Sequence, residues 1–518
     1  MAHIRVRVLM SVIVATITTL FFFFWGTHRY DNTILIKVDS PVNRVASTSS
    51  IHSQSDIPNK TPDELCHTDK SVAPAVALGE WLIRKNYTRV YMRPNFHPAT
   101  TKFNSLEPIE GKVLPPFHAL ERGLKVSNET DPWPCPPIVD VNVATDLPIE
   151  STSQLLFGLA TTVERLDSLL PSLLYSYGNT KATLLVLVPD NRHDLDFQEA
   201  YFRTRGLDLR LKPSPLEFNA RYFGLVGALR EFIDEERPDT KWVSFVDDDT
   251  FFPFLPRIAE KLATLDASKK HYIGGLSEAS WQVKTFGHIA FGGAGVFISK
   301  GLLDALQPVY QICQDFGERH GDQKLAQCIE KFGKTKLTAW DSLYQMDMTG
   351  KPDGIFESGK EINSIHHWNT WFKTDVAKMS AVAIAAGRHS VLRRWQFDET
   401  VEQGDNGVEK RSFWVLTNGY SIVRYTMDAS ISASAINFDH TEKTWNEDPK
   451  GYEKRLGPLR LKDQPGIRKD RWMLSDSVVV GNNVHQTYIC KDWEGHSVVE
   501  LVWLGNQGWL RPDNAYHF

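Results

Sequence analysis

The sequence predicts an α/β fold: a mixed, mostly parallel sheet flanked by helices, with a membrane-crossing helix ahead of it and a smaller β-rich part after it. Three observations carry that expectation. From about Ile149, apolar runs of strand length alternate with amphipathic stretches of helix length, the pattern of a largely parallel sheet covered on both faces. Val8 to Gly26 is an uncharged run of about the length a bilayer-spanning helix requires. After about Arg388 the texture changes to short strands separated by turns.

Taken in order, residues 1–30 read as a cytoplasmic tail and anchor. Arg5 and Arg7 precede the apolar run, which ends in four phenylalanines and Trp25. No small-x-small cleavage site follows, so the run reads as an uncleaved anchor and not as a signal peptide. Arginines on its N-terminal side place the N-terminus in the cytoplasm and the body in the lumen, the type II arrangement. Residues 31–145 read as a stem, with Ser47 to Ser50, scattered prolines, and the proline-rich stretch Asp131 to Pro137. The later half of this stem is expected to pack on the body.

The alternating region is expected over residues 146–388. Leu155 to Thr161 is a buried-strand pattern running into the amphipathic stretch Val163 to Tyr175. Thr183 to Val188 is a second strand and Phe197 to Thr204 a helix. Leu207 to Leu211 is a third strand, Tyr222 to Glu236 a helix, and Trp242 to Val246 a fourth strand. Ligands of such sheets bind beyond the carboxyl ends of the strands, so the residues after Val246 are where chemistry is expected. Residues 389–518 form the β-rich part, with strands near Phe413 to Leu416, Ser421 to Tyr425, Ser477 to Val480 and Val498 to Leu504.

Composition narrows the classes. The 518 residues are 42% hydrophobic, enough for a sizeable core, and the net charge of -5 comes without a clustered basic surface. No nucleic-acid partner is therefore expected. The 15 Trp, 15 Tyr and 28 Phe include rings able to stack on sugars, although core packing accounts for most aromatics. Asn86-Tyr87-Thr88 and Asn128-Glu129-Thr130 are glycosylation sequons. The five cysteines, Cys66, Cys135, Cys313, Cys328 and Cys490, contain no C-x-x-C, so zinc and thioredoxin-type readings lack support. In an oxidising lumen Cys313 could close a short loop with Cys328, Cys66 could pair with Cys135, and Cys490 would be left over.

Four segments carry candidate chemistry. Val246-Asp247-Asp248-Asp249-Thr250-Phe251 delivers three acids at the end of an apolar strand. Adjacent carboxylates repel unless a counter-charge is present, and a hard divalent cation is the natural one. Pleating sends Asp247 and Asp249 to one side and Asp248 to the other, so one pair could face a metal diphosphate while the middle acid bonds to ribose or backbone. The competing reading is an acidic turn capping the next helix. An aspartyl-phosphate hydrolase is disfavoured, because such enzymes place Thr or Val where this chain has Phe251.

His288 to Ser299 contains Gly292-Gly293-Ala294-Gly295, small residues that let backbone approach a ligand, without the spacing of a dinucleotide fingerprint or a P-loop. Asp322, after Gly321, opens a short amphipathic helix, where a carboxylate also stabilises the helix N-terminus. Ser364-Ile365-His366-His367-Trp368 carries adjacent histidines. On a strand these would face opposite ways, so at most one is expected to reach a given site.

The order of these four segments resembles the Fringe-like glycosyltransferases of family 31, and more closely their fungal and plant branch with a domain long described as of unknown function. The resemblance covers roughly Leu155 to Trp371. It implies a GT-A fold, a UDP-sugar donor, Mn2+ or another divalent cation, inversion at the anomeric carbon, and a glycan or glycoprotein acceptor. It also implies a hexosyltransferase held in the Golgi membrane as a single-pass type II protein. Carried onto this chain, it implies Asp247 and Asp249 as metal residues with one of His366 and His367, and Asp248 toward the ribose. Thr161 and Thr162 would hold the uridine, Gly292 and Gly293 would line the cleft, and Asp322 would be the catalytic base. Many family members carry an acid where this chain has Gly321. The alternative expectation is a sugar-binding or scaffolding protein that keeps the fold without catalysis.

Overall fold

The computed structural model describes residues 85–98, 106–120, 136–178, 180–317, 319–404, 407–446, 455–491 and 496–505. The run Val8 to Gly26, residues 31–84 of the stem, Asn128, and the pairing of Cys66 with Cys135 lie outside them. None of the described helices is long and apolar enough to cross a membrane.

Four strands come first, all from the stretch expected as stem: β1 (Lys85–His97), β2 (Leu106–Pro108), β3 (His118–Leu120) and β4 (Ile138–Ala144). In β4, Val139, Val141 and Val143 are buried while Asp140 and Asn142 between them are exposed, the period-two alternation of a strand with one face on a core.

The alternating region then runs β5 (Leu155–Ala160), α1 (Val163–Ser168), α2 (Leu170–Tyr177), β6 (Thr183–Pro189), α3 (Leu195–Thr204), β7 (Leu209–Ser214), α4 (Phe218–Glu235) and β8 (Trp242–Val246). It continues through α5 (Leu255–Ala263), β9 (Tyr272–Gly274), α6 (Ser280–Phe286), β10 (Val296–Ser299), α7 (Lys300–Leu306), α8 (Tyr310–Gln314), α9 (Gly321–Cys328) and β11 (Leu337–Ala339). These strands make a seven-stranded sheet in the order β11-β9-β10-β8-β5-β6-β7. β8, β5, β6 and β7 are parallel, and β10 runs antiparallel to both β8 and β9. The α/β class and the mixed, mostly parallel sheet are thus as the alternation implied. Every residue of β5 and β8 is buried, which explains why both read as unbroken apolar runs.

Helix α5 shows how sequence sets the packing. Leu255, Ile258, Ala259 and Leu262 are its buried face, spaced i, i+3, i+4, i+7, and Pro256 sits in its first turn, where a missing N–H costs nothing. Helices α8 and α9 are joined by the Cys313–Cys328 disulfide across 15 residues, a closure of about 3 kcal/mol in the chain-entropy account.

A two-stranded parallel pair follows, β12 (Leu343–Tyr344) with β13 (Ser364–Ile365). Then come β14 (Arg394–Gln403), β15 (Glu409–Thr417), β16 (Ser421–Asp428), the pair β17 (Thr441–Glu442) and β18 (Leu459–Arg460), β19 (Ile467–Val480), β20 (Asn483–Lys491) and β21 (His496–Trp503). The second sheet has ten strands and is the larger of the two: β2-β14-β15-β16-β19-β20-β21-β1-β3, with β4 also on β1. The C-terminal strands therefore do not make a smaller sheet of their own. They pair with β1 to β4, which lie before the alternating region in sequence; strand β1 runs parallel to β21 from Lys85↔His496 to Met92↔Trp503. Such pairing between distant segments leaves no local trace in the sequence.

One apolar core joins the sheets: Phe157, Val163 and Phe252 belong to the same cluster as Val141, Trp395, Tyr488 and Trp503. A second cluster fills the other face of the seven-stranded sheet, where Leu225 and Leu229 of α4 meet Leu156 and Phe245. Each fully buried side chain of this kind stabilises the fold by about 1.5–3 kcal/mol. The carboxyl end of β8 is packed from both sides, with Phe245 in one core and Val246 in the other.

Candidate active site

Strand β8 ends at Val246, and the next three acids take different surroundings. Asp247 is partly exposed, while Asp248 is 7% exposed and Asp249 5%. The turn is fixed by Thr250, whose hydroxyl accepts from the Asp247 N–H at 3.1 Å and donates to the Gly293 carbonyl at 3.0 Å. The acidic turn is thereby tied to the glycine turn. Phe251 then exchanges both backbone hydrogen bonds with Ile365 at 2.9 Å, which brings the histidine pair alongside.

Asp247 and Asp249 face the same imidazole. His366 Nε2 lies 3.0 Å from Asp249 Oδ1 and 3.4 Å from Asp247 Oδ2. Burial works against charge on His366, but its hydrogen bonds to Asp247 and Asp249 outweigh that and hold its pKa well above the ordinary imidazole value. Burial likewise opposes ionisation of Asp249, and the hydrogen bond from His366 overcomes it, leaving the carboxyl below the usual range. The His366 ring lies flat against Gly293: a Cβ there would fall 2.2 Å from its Cε1 and Nδ1. Glycine at 293 is a requirement of space.

Asp248 points elsewhere. Its carboxylate accepts from the Thr161 hydroxyl and from both Nε and Nη2 of Arg165. Thr161 follows β5, and Thr162 caps α1 by accepting the Arg165 N–H at 3.3 Å, which presents the Arg165 side chain toward β8.

The adjacent histidines converge, contrary to the strand-based expectation. Their ring centroids are 3.8 Å apart, because β13 stops at Ile365 and His367 adopts φ +54°, reversing the alternation that a strand would impose. His367 Nε2 lies 3.0 Å from Asp347 Oδ1, Asp347 Oδ2 accepts from Ser277 at 2.9 Å, and His367 Nδ1 lies 3.2 Å from the Thr370 hydroxyl. Trp371 stacks on the other side of this imidazole at 4.2 Å and 1°.

Potential ligand atoms of Asp249, His366 and His367 lie within 4.8 Å of one another, the one such grouping of three among the described residues. Carboxylate with imidazole is a donor set that suits first-row dications, the carboxylate favouring harder ions such as Mn2+ and the imidazoles borderline ones. The carboxylate behind His367 is the arrangement that orients imidazole ligands. The residues present thus fit a divalent cation.

Asp322 occupies the first turn of α9, beside the glycine turn. Its Oδ2 accepts the Gly292 N–H at 3.2 Å and its Oδ1 the Gln323 N–H at 2.7 Å. Removal from water and the charge of nearby Asp247 push its pKa up to about 6, against the lowering effect of the Gly292 hydrogen bond. Gly321 is small for a visible reason: a Cβ would lie 2.5 Å from the ring of Tyr222 on α4, and one on Gly292 would lie 2.7 Å from the Tyr222 hydroxyl.

The fold thus gathers Thr161, Asp247, Asp248, Asp249, Gly292, Gly293, Asp322, His366 and His367 at one end of the seven-stranded sheet. Thr162 contributes through its cap. The sequence reading missed Arg165, Asp347, Trp371 and Tyr222. Arg165 had a local signal, three residues after a Thr cap; the other three reach the site only through the fold.

A family model described as "Protein of unknown function, DUF604" matches residues 282–382, a span that includes the glycine turn, Asp322 and both histidines. No curated protein matches the chain. Among solved structures the chain is similar to the glycosyltransferase GlyE of Streptococcus pneumoniae TIGR4, at 16% identity and TM-score 0.25, covering 36% of this chain and 44% of that one. It is similar to the mannosyltransferase PcManGT from Pyrobaculum calidifontis in complex with GDP-Man and Mn2+, at 12% identity and TM-score 0.27, over 38% and 58% of the two chains. A third is a glycosyltransferase involved in glycosylation of the major capsid of PBCV-1, at 14% identity and TM-score 0.25, over 42% and 93%. The chain thus spans about half the length of the first two.

Proposed function

We propose that this protein is a metal-dependent, inverting glycosyltransferase that moves a hexosyl group from a UDP-sugar to a hydroxyl of a glycan or glycoprotein acceptor. The observation that carries the reading is the separation of roles at one sheet end: Asp247 and Asp249 face His366, Asp248 is held by Arg165, and Asp322 stands apart with a raised pKa.

Asp249 with His366 and His367 would hold Mn2+ or another divalent cation. When bound, such a cation acts as a Lewis acid that neutralises charge on a departing diphosphate. Asp248, restrained by Thr161 and Arg165, is the acid turned toward the nucleoside side, where Thr161 and Thr162 lie. Asp322 takes the proton of the acceptor hydroxyl as it attacks the anomeric carbon. A carboxyl with pKa about 6 is mostly ionised at neutral pH yet basic enough to be useful, and base catalysis of this kind contributes about 10²–10⁴-fold. The carbon reacts through a transition state of oxocarbenium character.

We further propose that the chain is a type II protein of the Golgi membrane with residues 31–518 in the lumen. Val8 to Gly26 with Arg5 and Arg7 supports this, as do an exposed Asn86 in its sequon and a Cys313–Cys328 disulfide, which belong in an oxidising compartment. Protection from added protease in sealed Golgi vesicles, with a glycosidase-sensitive mass at Asn86, is the expected result; digestion without detergent would reverse the orientation.

The decisive test of the activity is UDP release by the full-length protein across a panel of UDP-sugars with Mn2+, with EDTA, and with Asp322→Asn. Release with one donor, lost with EDTA and in the variant, is expected. No release with any donor, together with no Mn2+-dependent UDP binding by calorimetry, would leave the non-catalytic sugar-binding alternative.

A further inference from the structure

Helix α6 lies in sequence between β9 and β10 of the seven-stranded sheet yet contributes nothing to either core: none of its seven residues is buried. A seven-residue helix is too short to be stable on its own, and one without a buried face gains little from packing. What it does present is aromatic surface. Trp281 is 58% exposed, and its ring lies 6.5 Å from that of Phe286, which is half-buried. Exposure alone assigns it no partner, since single apolar side chains are common on protein surfaces; its place in the fold does.

The position of this pair is specific. Phe286 packs edge-on against Phe291 at 6.5 Å and against the exposed His320 ring at 6.2 Å. Phe291 immediately precedes Gly292, whose N–H binds Asp322, and His320 caps the helix that carries Asp322. The aromatic edge of α6 therefore abuts both segments that frame Asp322. On the metal side the ring contacts form a different series, His366 to His367 to Trp371. In an inverting transfer the acceptor approaches on the side away from the departing diphosphate, which is the side of the base.

We infer that Trp281, backed by Phe286, is the platform on which a pyranose ring of the acceptor stacks to bring its hydroxyl to Asp322. This rests on the transferase reading above. A hexopyranose offers a face of C–H groups that matches an indole, while the exposed Lys284 and Thr285 of the same helix and the exposed His320 against Phe286 can hydrogen-bond its hydroxyls. Because no α6 side chain is buried, removing the indole leaves the core untouched.

The test uses saturation-transfer NMR on the full-length protein with lactose, chitobiose and methyl α-mannoside, and glycerol as a polyol without a ring. Wild type, Trp281→Ala and Trp281→Phe are compared, and Mn2+-dependent UDP binding is measured on each by calorimetry. The expected result is transfer to ring C–H protons of at least one sugar, lost in Trp281→Ala and kept in part by Trp281→Phe, with UDP binding equal in all three. Where transfer is assayed, acceptor KM in Trp281→Ala rises roughly two- to tenfold with kcat little changed. Sugar contacts in Trp281→Ala equal to wild type, no contact with any of the three sugars, or joint loss of sugar and UDP binding would overturn the inference. Absence of UDP binding in the wild type, with Trp281-dependent sugar contacts intact, would instead sink the transferase reading and leave the platform standing.

Discussion

Phe251 and Ile365 exchange both of their backbone hydrogen bonds at 2.9 Å, an isolated two-residue bridge between segments far apart in sequence. Phe251 is two residues past Asp249, and Ile365 is one residue before His366. This single bridge sets the acid and the imidazole 3.0 Å apart, and the predictions for the metal side follow from it.

Asp249→Asn keeps the shape of the side chain but removes its charge. Mn2+-dependent UDP affinity should fall at least about tenfold, the range reported for lost ligand or supporting groups at metal sites. Calorimetry with and without Mn2+ checks this; unchanged metal dependence would show that Asp249 is not a ligand.

Gly293→Ala tests the same site by volume. The added Cβ would lie 2.2 Å from the His366 ring, so the ring must move off the carboxylates. Overpacking of this kind costs about 1–3 kcal/mol. A lower Tm together with weaker Mn2+ binding is expected, and a variant with both unaltered would mean that the His366 position is not what the site requires.

Asp322→Asn should lower kcat by about 10²–10⁴-fold while UDP affinity stays near wild type. Near-normal turnover would remove Asp322 from the role of base.

The wild-type pH profile has a definite sign. In the proposed role Asp322 acts ionised, and burial with the Asp247 charge places its pKa at about 6. Log kcat/KM at saturating Mn2+ should be level at neutral pH and fall toward unit slope below about 6, or somewhat lower because a bound dication acts against Asp247. A rate that rises as the solution is acidified through this range would exclude a carboxylate base with these surroundings.

Arg165→Ala leaves Asp248 buried with only Thr161 beside it. The loss should sit toward the lower part of about 1–3 kcal/mol, since Arg165 is itself half exposed, and donor KM should rise. Recovery by Arg165→Lys is expected to be partial, because an ammonium cannot reproduce the bidentate contact. Full activity and Tm in Arg165→Ala would mean that the pair does not position Asp248.

Truncation after Gly387 tests whether the second sheet is separable. Phe157 and Trp395 share one core, so the shortened chain should expose apolar surface and fail to give a cooperative unfolding transition. A folded, fully active truncate would contradict the shared core.

Much of the alternating region could be read from residue order alone. β5 and β8 are apolar runs because both faces of the seven-stranded sheet are covered, and their alternation with helices is a local property of the chain. The acids after Val246 and the acid opening α9 also announced themselves, since a strand end and a helix start are written in neighbouring residues. The histidines were misread for a related reason. Strand alternation predicts opposite faces for them, and the positive φ of His367, which turns both rings into one site, has no signature in a non-glycine residue.

What the sequence determined by itself is therefore the set of short-range facts: which segments become strands and helices, and which of them end in carboxylates. The tertiary structure alone decided that Arg165 answers Asp248, that Tyr222 forbids a side chain at 321, that Asp347 stands behind His367, and that β1 pairs with β21. The physical reason is range. Periodicity, capping and turn chemistry act over a few residues and can be read one window at a time. Cross-chain hydrogen bonds and side-chain fit depend on where the packed core brings distant segments together, and no window contains both partners.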